Sequence, residues 1–230
     1  MRVCAVVVGF NHWYGDTPGD KRFTRTFAHD LKEHNPEMDL VVIDNASDKP
    51  YQSDDVDIIR LTKRVDYCAA LNVGLRHYDM RYDWYITFNN DCDLIRPYRI
   101  PDALEGLSEN VLYGSGWNID ETAKKHWQFS AWLVISRKIL RDVGLFDVKC
   151  GAAFEDFDYE QRAMNMGYIL DTAPLPVLHI DAHTRYEDQS YPYRWEQARL
   201  YFNEKHGLNL NGWYKSHEIE RAKGYVTGLG

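Results

Sequence analysis

The sequence contains no long hydrophobic run. Its first apolar stretch, residues 3–8, is short and follows a single positive side chain, Arg2. A secretory signal needs a longer apolar segment, and a membrane-spanning helix needs about 18 consecutive apolar residues. We therefore expect a soluble protein without a secretory signal or a transmembrane helix.

Cysteine is scarce and widely spaced. The 230 residues include four cysteines, Cys4, Cys68, Cys92 and Cys150, and no two of them form a C-x-x-C pair. This spacing disfavours both a zinc knuckle and a disulfide-rich scaffold. It predicts four reduced thiols in a cytoplasmic protein.

The chain has fewer basic than acidic residues, and it contains no glycine-rich phosphate loop of a known type. The chain has 27 Lys and Arg against 35 Asp and Glu, and its net charge of −8 disfavours a surface that binds nucleic acid or an anionic membrane. Neither G-x-x-x-x-G-K-S/T nor a G-x-G-x-x-G after the first apolar run occurs, so P-loop and dinucleotide-binding folds lose support. Any phosphate must be held by another device.

What the first half does contain is a strand and helix alternation. The apolar runs 3–8, 40–43 and 84–88 are typical of strands buried on both faces. Between them, 22–34 and 66–77 are predicted helices, the first ended by Asn35-Pro36 and the second capped by Asp66. Such alternation predicts an α/β fold with a mostly parallel sheet.

The second half has a less regular pattern. We predict a strand at 127–135, a helix at 137–143, a helix from Glu155 to Gly167, a strand at 177–179 and a last helix at 193–206. The length suits one large domain. We therefore predict a domain at 1–185 and a helical extension, 186–230, packed on it.

Two carboxylates, Asp91 and Asp93, follow the predicted strand at 84–88. Residues i and i+2 of a strand face the same side, and ligand crevices open at strand ends in α/β sheets. Two hard oxygen ligands there suit Mg²⁺ or Mn²⁺ together with substrate phosphates. The alternative is a solvated turn in which Asn90 and Asp91 bond their own backbone.

Six short segments occur in an order that resembles the inverting, family-two glycosyltransferases with a GT-A fold, especially the rhamnosyltransferase-like members. They read VVGFN at 7–11, VIDNASD at 42–48, NVG at 72–74, FNNDCD at 88–93, GLFD at 144–147 with FEDFD at 154–158, and VLH at 177–179. The resemblance implies a mostly parallel central sheet flanked by helices, with a small mixed second sheet.

The resemblance also implies site residues. Asp156 would be the catalytic base, with Glu155 as the second choice, and the metal would be held by Asp91, Asp93 and His179. The residues expected to contact the nucleotide are Gly9, Asn11, Asp44, Asn72 and Asp91. From the residues alone, Asp44 could instead close a turn with Ser47, His179 could be a core residue, and His183 could replace it as the ligand.

The implied activity is metal-dependent transfer of a hexose-type sugar, with inversion, from a nucleoside diphosphate sugar to a hydroxyl. UDP is the favoured nucleotide, Mn²⁺ or Mg²⁺ the cofactor, and a glycan or glycolipid intermediate the expected acceptor, which could bring a cytoplasmic enzyme to the membrane periphery. Hydroxymethylated bases of phage-type DNA are an alternative acceptor. A nucleotidyltransferase and a sugar-nucleotide-binding module without turnover are the alternative functions.

Two segments depart from the family pattern. The loop 12–21 is long and rich in glycine and aromatic residues, and 64–67 (RVDY) stands where the family has a glycine-rich lead into its N-x-G segment. These departures leave the sugar and the base open.

Overall fold

The structure, a computed structural model, describes residues 1–11, 24–95, 97–115, 117–120, 125–128, 131–151, 153–173, 175–179 and 191–208. Side chains are described within these ranges except at 117–120, 125–128, 191 and 192. His183 and the loop 12–21 lie outside the described residues.

Strands and helices alternate along the first half of the chain and become mixed in the second. The strands are β1 (Val3–Gly9), β2 (Asp39–Asp44), β3 (Asp57–Arg60), β4 (Trp84–Asn89), β5 (Cys92–Leu94), β6 (Val111–Gly114), β7 (Trp117–Asp120), β8 (Lys125–Gln128), β9 (Trp132–Ser136), β10 (Ile169–Thr172) and β11 (Val177–His179). The helices are α1 (Thr24–His34), α2 (Tyr67–Tyr78), α3 (Ile100–Leu104), α4 (Arg137–Val143), α5 (Glu155–Asn165) and α6 (Tyr191–His206), with a short 3-10 helix at Val148–Cys150. None of the described helices is long and apolar enough to cross a membrane.

Seven strands form the central sheet, in the order β10-β6-β9-β4-β1-β2-β3. All neighbours in it are parallel except those of β9, which runs antiparallel to both β4 and β6. The strand order changes direction at β1, since β2 lies on one side of it and β4 on the other. In such sheets ligands bind outside the carboxyl ends of the strands at this point.

Both faces of the sheet are covered, as the continuous apolar strands predicted. In β1, Val3, Ala5 and Val7 belong to one core cluster, and Cys4, Val6 and Val8 belong to the other. Helix α2 approaches β1 so closely that a Cβ built on Gly74 would lie 2.3 Å from a methyl carbon of Val6. Only glycine fits this contact without displacing the Val6 side chain.

The predicted α/β fold is confirmed, with corrections to single elements. The strand predicted at 127–135 is wrong, because β8 ends at Gln128 and pairs with β7, whereas β9 starts at Trp132 and joins the central sheet. The small sheet next to β4 is antiparallel rather than mixed, and it consists of β5 and β11. The division into 1–185 and 186–230 stays a prediction.

Candidate active site

A sharp turn brings Asp91 to the carboxyl end of the central strand. Strand β4 ends at Asn89, Asn90 and Asp91 form the turn, and Cys92 starts β5 in the separate small sheet. Strand β11 pairs with β5 in a register that places His179 opposite Cys92. A late segment of the chain therefore delivers a histidine beside the aspartate.

Asp91 and His179 meet at the distance expected of two ligands on one ion. Asp91 Oδ1 lies 3.0 Å from His179 Nε2, and the two side chains are 16% and 20% exposed. Asp91 Oδ1 is buried and accepts no hydrogen bond of good geometry within the described part of the chain. Adjacent ligands in an octahedral site with bonds of about 2.1 Å are about 3 Å apart, so this pair fits Mg²⁺ or Mn²⁺.

Asn89 also lies close to His179. Its amide nitrogen lies 3.5 Å from His179 Nε2. Asn89 is the last residue of β4, so the central sheet and the small sheet meet at this contact. Sequence reasoning placed Asn89 in the motif but assigned it no role.

Asp93 is not brought into this group. The ligand atoms of Asp91, Asp93 and His179 do not all lie within 4.8 Å of one another. The pKa of Asp30 in α1 is raised, first by burial and next by the charge of Asp93. Asp91 lies in the turn and Asp93 lies in β5, so strand alternation does not place the two side chains on one side.

The predicted catalytic carboxylates open helix α5. Glu155 and Asp156 are its first two residues and are half-buried, and Asp156 Oδ1 accepts a hydrogen bond of 2.8 Å from the Phe157 amide. Carboxylates in a first turn are stabilised by the helix dipole. The residue before them, Phe154, has a left-handed φ of 68°, an unusual conformation for a residue with a side chain.

The charges of Asp91 and of the α5 carboxylates both influence Tyr67. It is the first residue of α2, and its hydroxyl donates a hydrogen bond of 3.3 Å to the Phe88 carbonyl of β4. The pKa of Tyr67 is raised well above its ordinary value, first by burial and then by nearby acidic groups: Glu155, Cys92, Asp91 and Asp156. Asp91, Glu155 and Asp156 therefore all lie close enough to Tyr67 for their charges to contribute to this shift, and the phenol is protonated at neutral pH.

Sequence reasoning missed Tyr67, although a signal was present. The segment 64–67 departs from the glycine-rich lead of the resembling family, and Tyr67 is the residue of that segment that reaches the site. Its neighbour Asp66 holds the helix cap position, but its side chain makes no hydrogen bond to the helix amides. That side chain instead accepts a 2.8 Å hydrogen bond from Arg194 of α6.

Asp44 lies at the end of β2 but is fully buried. Its Oδ1 accepts a 2.8 Å bond from the Ser47 amide, and its Oδ2 accepts bonds from the Tyr51 amide at 3.2 Å and from Arg60 Nη1 at 2.5 Å. The turn with Ser47 is therefore present. The group exposed at this position is Arg60, whose side chain is 41% accessible.

Gly9 is the last residue of β1, and Asn11 lies two residues beyond it, beside the same turn. Asn11 has a φ of 58°, donates from its amide to Ser47 Oγ at 2.9 Å, and exchanges two hydrogen bonds with Asp48. A Cβ on Gly9 would lie 2.8 Å from the Tyr51 hydroxyl, so a larger residue would displace that side chain. The structure brings Gly9, Asn11 and Asp44 together.

Asn72 is not brought to this group. It is 2% exposed, its amide nitrogen donates to the Phe146 carbonyl at 2.8 Å, and its Oδ1 accepts from the Phe146 amide at 2.9 Å. The side chain thus ties α2 to the segment between α4 and the 3-10 helix. These two hydrogen bonds indicate that Asn72 stabilises the packing of α2 against that segment.

No protein-family model matches the chain, and no curated protein sequence matches it significantly. Solved structures do match. Glucosyl-3-phosphoglycerate synthase from Mycobacterium tuberculosis, in complex with Mn²⁺ and UDP-glucose, gives a TM-score of 0.61 at 11% identity over 92% of this chain and 81% of that one. The chain has the GT-A fold.

Two further GT-A structures match almost all of the chain. The mannosyltransferase PcManGT from Pyrobaculum calidifontis, in complex with GDP-Man and Mn²⁺, gives a TM-score of 0.54 at 14% identity over 96% of this chain and 80% of that one. GalNAc-T7 with UDP, GalNAc and Mn²⁺ gives 0.54 at 14% identity over 96% of this chain, which spans 58% of that protein. At these identities the likeness is one of fold.

Proposed function

We propose that the chain is a metal-dependent glycosyltransferase that moves a sugar from a nucleoside diphosphate sugar to an acceptor hydroxyl with inversion. The observation that carries the proposal is the 3.0 Å approach of Asp91 to His179 at the carboxyl end of the central strand β4 in a GT-A fold. The charges of Glu155, Asp91 and Asp156 all contribute, after burial, to the raised pKa of Tyr67, which indicates that the α5 carboxylates lie on the same side of the molecule. UDP is our preferred nucleotide. The motif order favours the rhamnosyltransferase-like subgroup and a glycan or glycolipid acceptor.

The residues divide the chemistry between them. A carboxylate of α5, Asp156 by our assignment, takes the proton of the acceptor hydroxyl as its oxygen bonds the anomeric carbon. The bond from that carbon to the diphosphate oxygen breaks in the same step, and the electron pair leaves with the diphosphate. Glu155 is the alternative base, since both residues lie in the first turn of α5.

Asp91 and His179 would hold the divalent ion. The pair offers one carboxylate oxygen and one imidazole nitrogen, a donor set that suits Mn²⁺ as well as Mg²⁺. When bound, the ion supplies positive charge that stabilises the leaving diphosphate. The protonated Tyr67 phenol is a neutral hydrogen-bond donor within this acidic group.

A pair of isosteric variants tests the assignment of the base. Asp156→Asn should lower kcat at least about 100-fold, because loss of a general base typically costs that much, while Mn²⁺ and UDP affinity are retained. The assay is nucleoside diphosphate release from a panel of nucleotide sugars with saccharide acceptors. Glu155→Gln is the matched control and should keep more activity. Near wild-type transfer by Asp156→Asn would contradict the assignment, and release of pyrophosphate instead would indicate a nucleotidyltransferase.

A further inference from the structure

A buried ion-pair cluster joins the last described helix to the helix that carries the proposed base. Asp158 of α5 is fully buried and lies two residues after Asp156. Its Oδ1 contacts Lys205 Nζ at 2.6 Å and His206 Nε2 at 2.8 Å, and its Oδ2 accepts a 2.8 Å hydrogen bond from Arg162. Both partners of Oδ1 come from α6.

The same cluster includes Asp147 beside the 3-10 helix. Lys205 donates to Asp147 Oδ2 at 2.7 Å, and the Tyr201 hydroxyl donates to that oxygen, also at 2.7 Å. Asp147, Cys150 and Asp158 have ligand atoms within 4.8 Å of one another. Because the Lys205 ammonium already lies between the two carboxylates, the cluster joins side chains and offers no cation site.

Helix α6 also packs on Phe154, the residue with a left-handed backbone that directly precedes α5. The Phe154 ring lies 5.3 Å from Trp195 and 5.4 Å from Phe202, centroid to centroid, and all three side chains are buried. A left-handed backbone in a residue with a side chain persists only where its surroundings hold it. The α6 aromatics contact Phe154 just before the first turn, and the ion-pair cluster joins α6 to Asp158, the fourth residue of α5.

We propose that Lys205 and His206 are positioning residues, which hold Asp158 and so fix the first turn of α5 with Glu155 and Asp156 facing the site. The inference rests on the proposed function for its catalytic consequence. Its structural part stands on the contacts of Asp158. A reacting group displaced by about 1 Å can cost roughly 100-fold in rate, so a small shift of this turn is enough to matter.

Two substitutions at His206 separate positioning from packing. His206→Phe keeps a ring on Phe202, which lies 4.8 Å away, but removes the nitrogen that contacts Asp158. His206→Gln keeps a donor near that position. His29→Phe is the control, because it breaks another histidine and aspartate contact, 2.6 Å to Asp55, on the more exposed surface of α1.

The measurements are amide hydrogen exchange over residues 154–160 and steady-state kinetics. For His206→Phe we expect faster exchange in this segment and a kcat lowered roughly 10- to 100-fold, with donor KM and Mn²⁺ affinity unchanged. His206→Gln and His29→Phe should resemble the wild type in both. If His206→Phe does not fold, Lys205→Gln should show the same changes, because it removes the ammonium that lies between Asp158 and Asp147.

Unchanged exchange over 154–160 in the folded His206→Phe protein would overturn the inference, and so would a wild-type kcat. A loss of activity that only follows the unfolded fraction would also overturn it. If the wild-type protein transfers no sugar from any donor, the proposed function fails. The exchange measurement would then still decide whether α6 positions the turn.

Discussion

Asp91 and Asp93 carry the same functional group two positions apart, yet the fold gives them different surroundings. Asp91 lies in the turn after β4 and contacts His179. Asp93 lies within β5, and its charge is, after burial, the second cause of the raised pKa of Asp30 in α1. The spacing predicted a pair of metal ligands, because residues i and i+2 of one strand face the same side. The intervening turn breaks that relation, and the proposed metal site includes a residue of a distant strand, β11.

A calorimetric titration with Mn²⁺ in the presence of UDP distinguishes the two aspartates. His179→Ala and Asp91→Asn should weaken Mn²⁺ affinity by at least roughly tenfold, because even the outer-shell partners of metal ligands cost that much. Asp93→Asn should leave the affinity unchanged. Equal weakening by Asp91→Asn and Asp93→Asn would show that the original pair is the site after all.

Asn72 shows how a motif residue can serve the fold instead of the ligand. Asn72→Ala removes both hydrogen bonds to the Phe146 backbone and should lower the free energy of unfolding by about 3 kcal/mol, measured by denaturant titration. Asn45→Ala, which removes the equivalent two bonds to Val65, is the matched comparison. UDP affinity of the folded Asn72→Ala protein should be unchanged. A variant that is as stable as the wild type but binds UDP weakly would instead support the predicted contact of Asn72 with the nucleotide.

At the scale of elements, α2 positions Tyr67 by packing directly on the central sheet. An exposed helix gains about 1 kcal/mol when Gly becomes Ala, but Gly74→Ala should instead lose about 2 kcal/mol, since its Cβ would overlap Val6. Thermal or denaturant unfolding measures the change. Combining Gly74→Ala with Val6→Ala should cost less than the sum of the two single changes, and strict additivity would contradict a direct clash.

The elements that the sequence predicts well are those with strong local patterns. The apolar runs of β1, β2 and β4, and the helices between them, follow from residue type and spacing alone. Short strands such as β3 and β10 were missed, because each has only four residues, of which two are apolar, and lacks the continuous apolar run of the central strands. Tyr67 was missed because its hydrogen bond to the Phe88 carbonyl joins α2 to a strand 21 residues away, and no local pattern encodes that contact.

At the scale of the whole molecule, acid stability should report on the cluster between α5, α6 and the 3-10 helix. Burial alone would raise the pKa of Asp147, but hydrogen bonds from Lys205, the Lys149 amide and Tyr201 lower it to about 2, from an ordinary value of 3.8. A lowered folded-state pKa stabilises the protein above the ordinary value, and that contribution is lost as the pH falls from about 4 to 2.

The expected contribution of Asp147 is about 2 kcal/mol, from a pKa shift of nearly two units. Asp147→Asn should therefore be less stable than the wild type at pH 6 and equally stable near pH 2, as measured by urea unfolding at several pH values. Asp102→Asn, at an exposed surface contact with Arg99, is the control and should leave the pH profile unchanged. A constant difference between Asp147→Asn and wild type at all pH values would contradict the assignment.

The antiparallel strand β9 also constrains how a growing chain can fold. Strand β1 pairs with β4 on one edge and with β2 on the other, and β3 pairs with β2. The first 94 residues therefore contain every strand on one side of β4. The other edge of β4 stays open until Trp132–Ser136 has been synthesised and Phe88 can pair with Trp132. Open apolar strand edges promote intermolecular pairing. Ribosome-bound chains that end before β9 should therefore be the species that most need a chaperone.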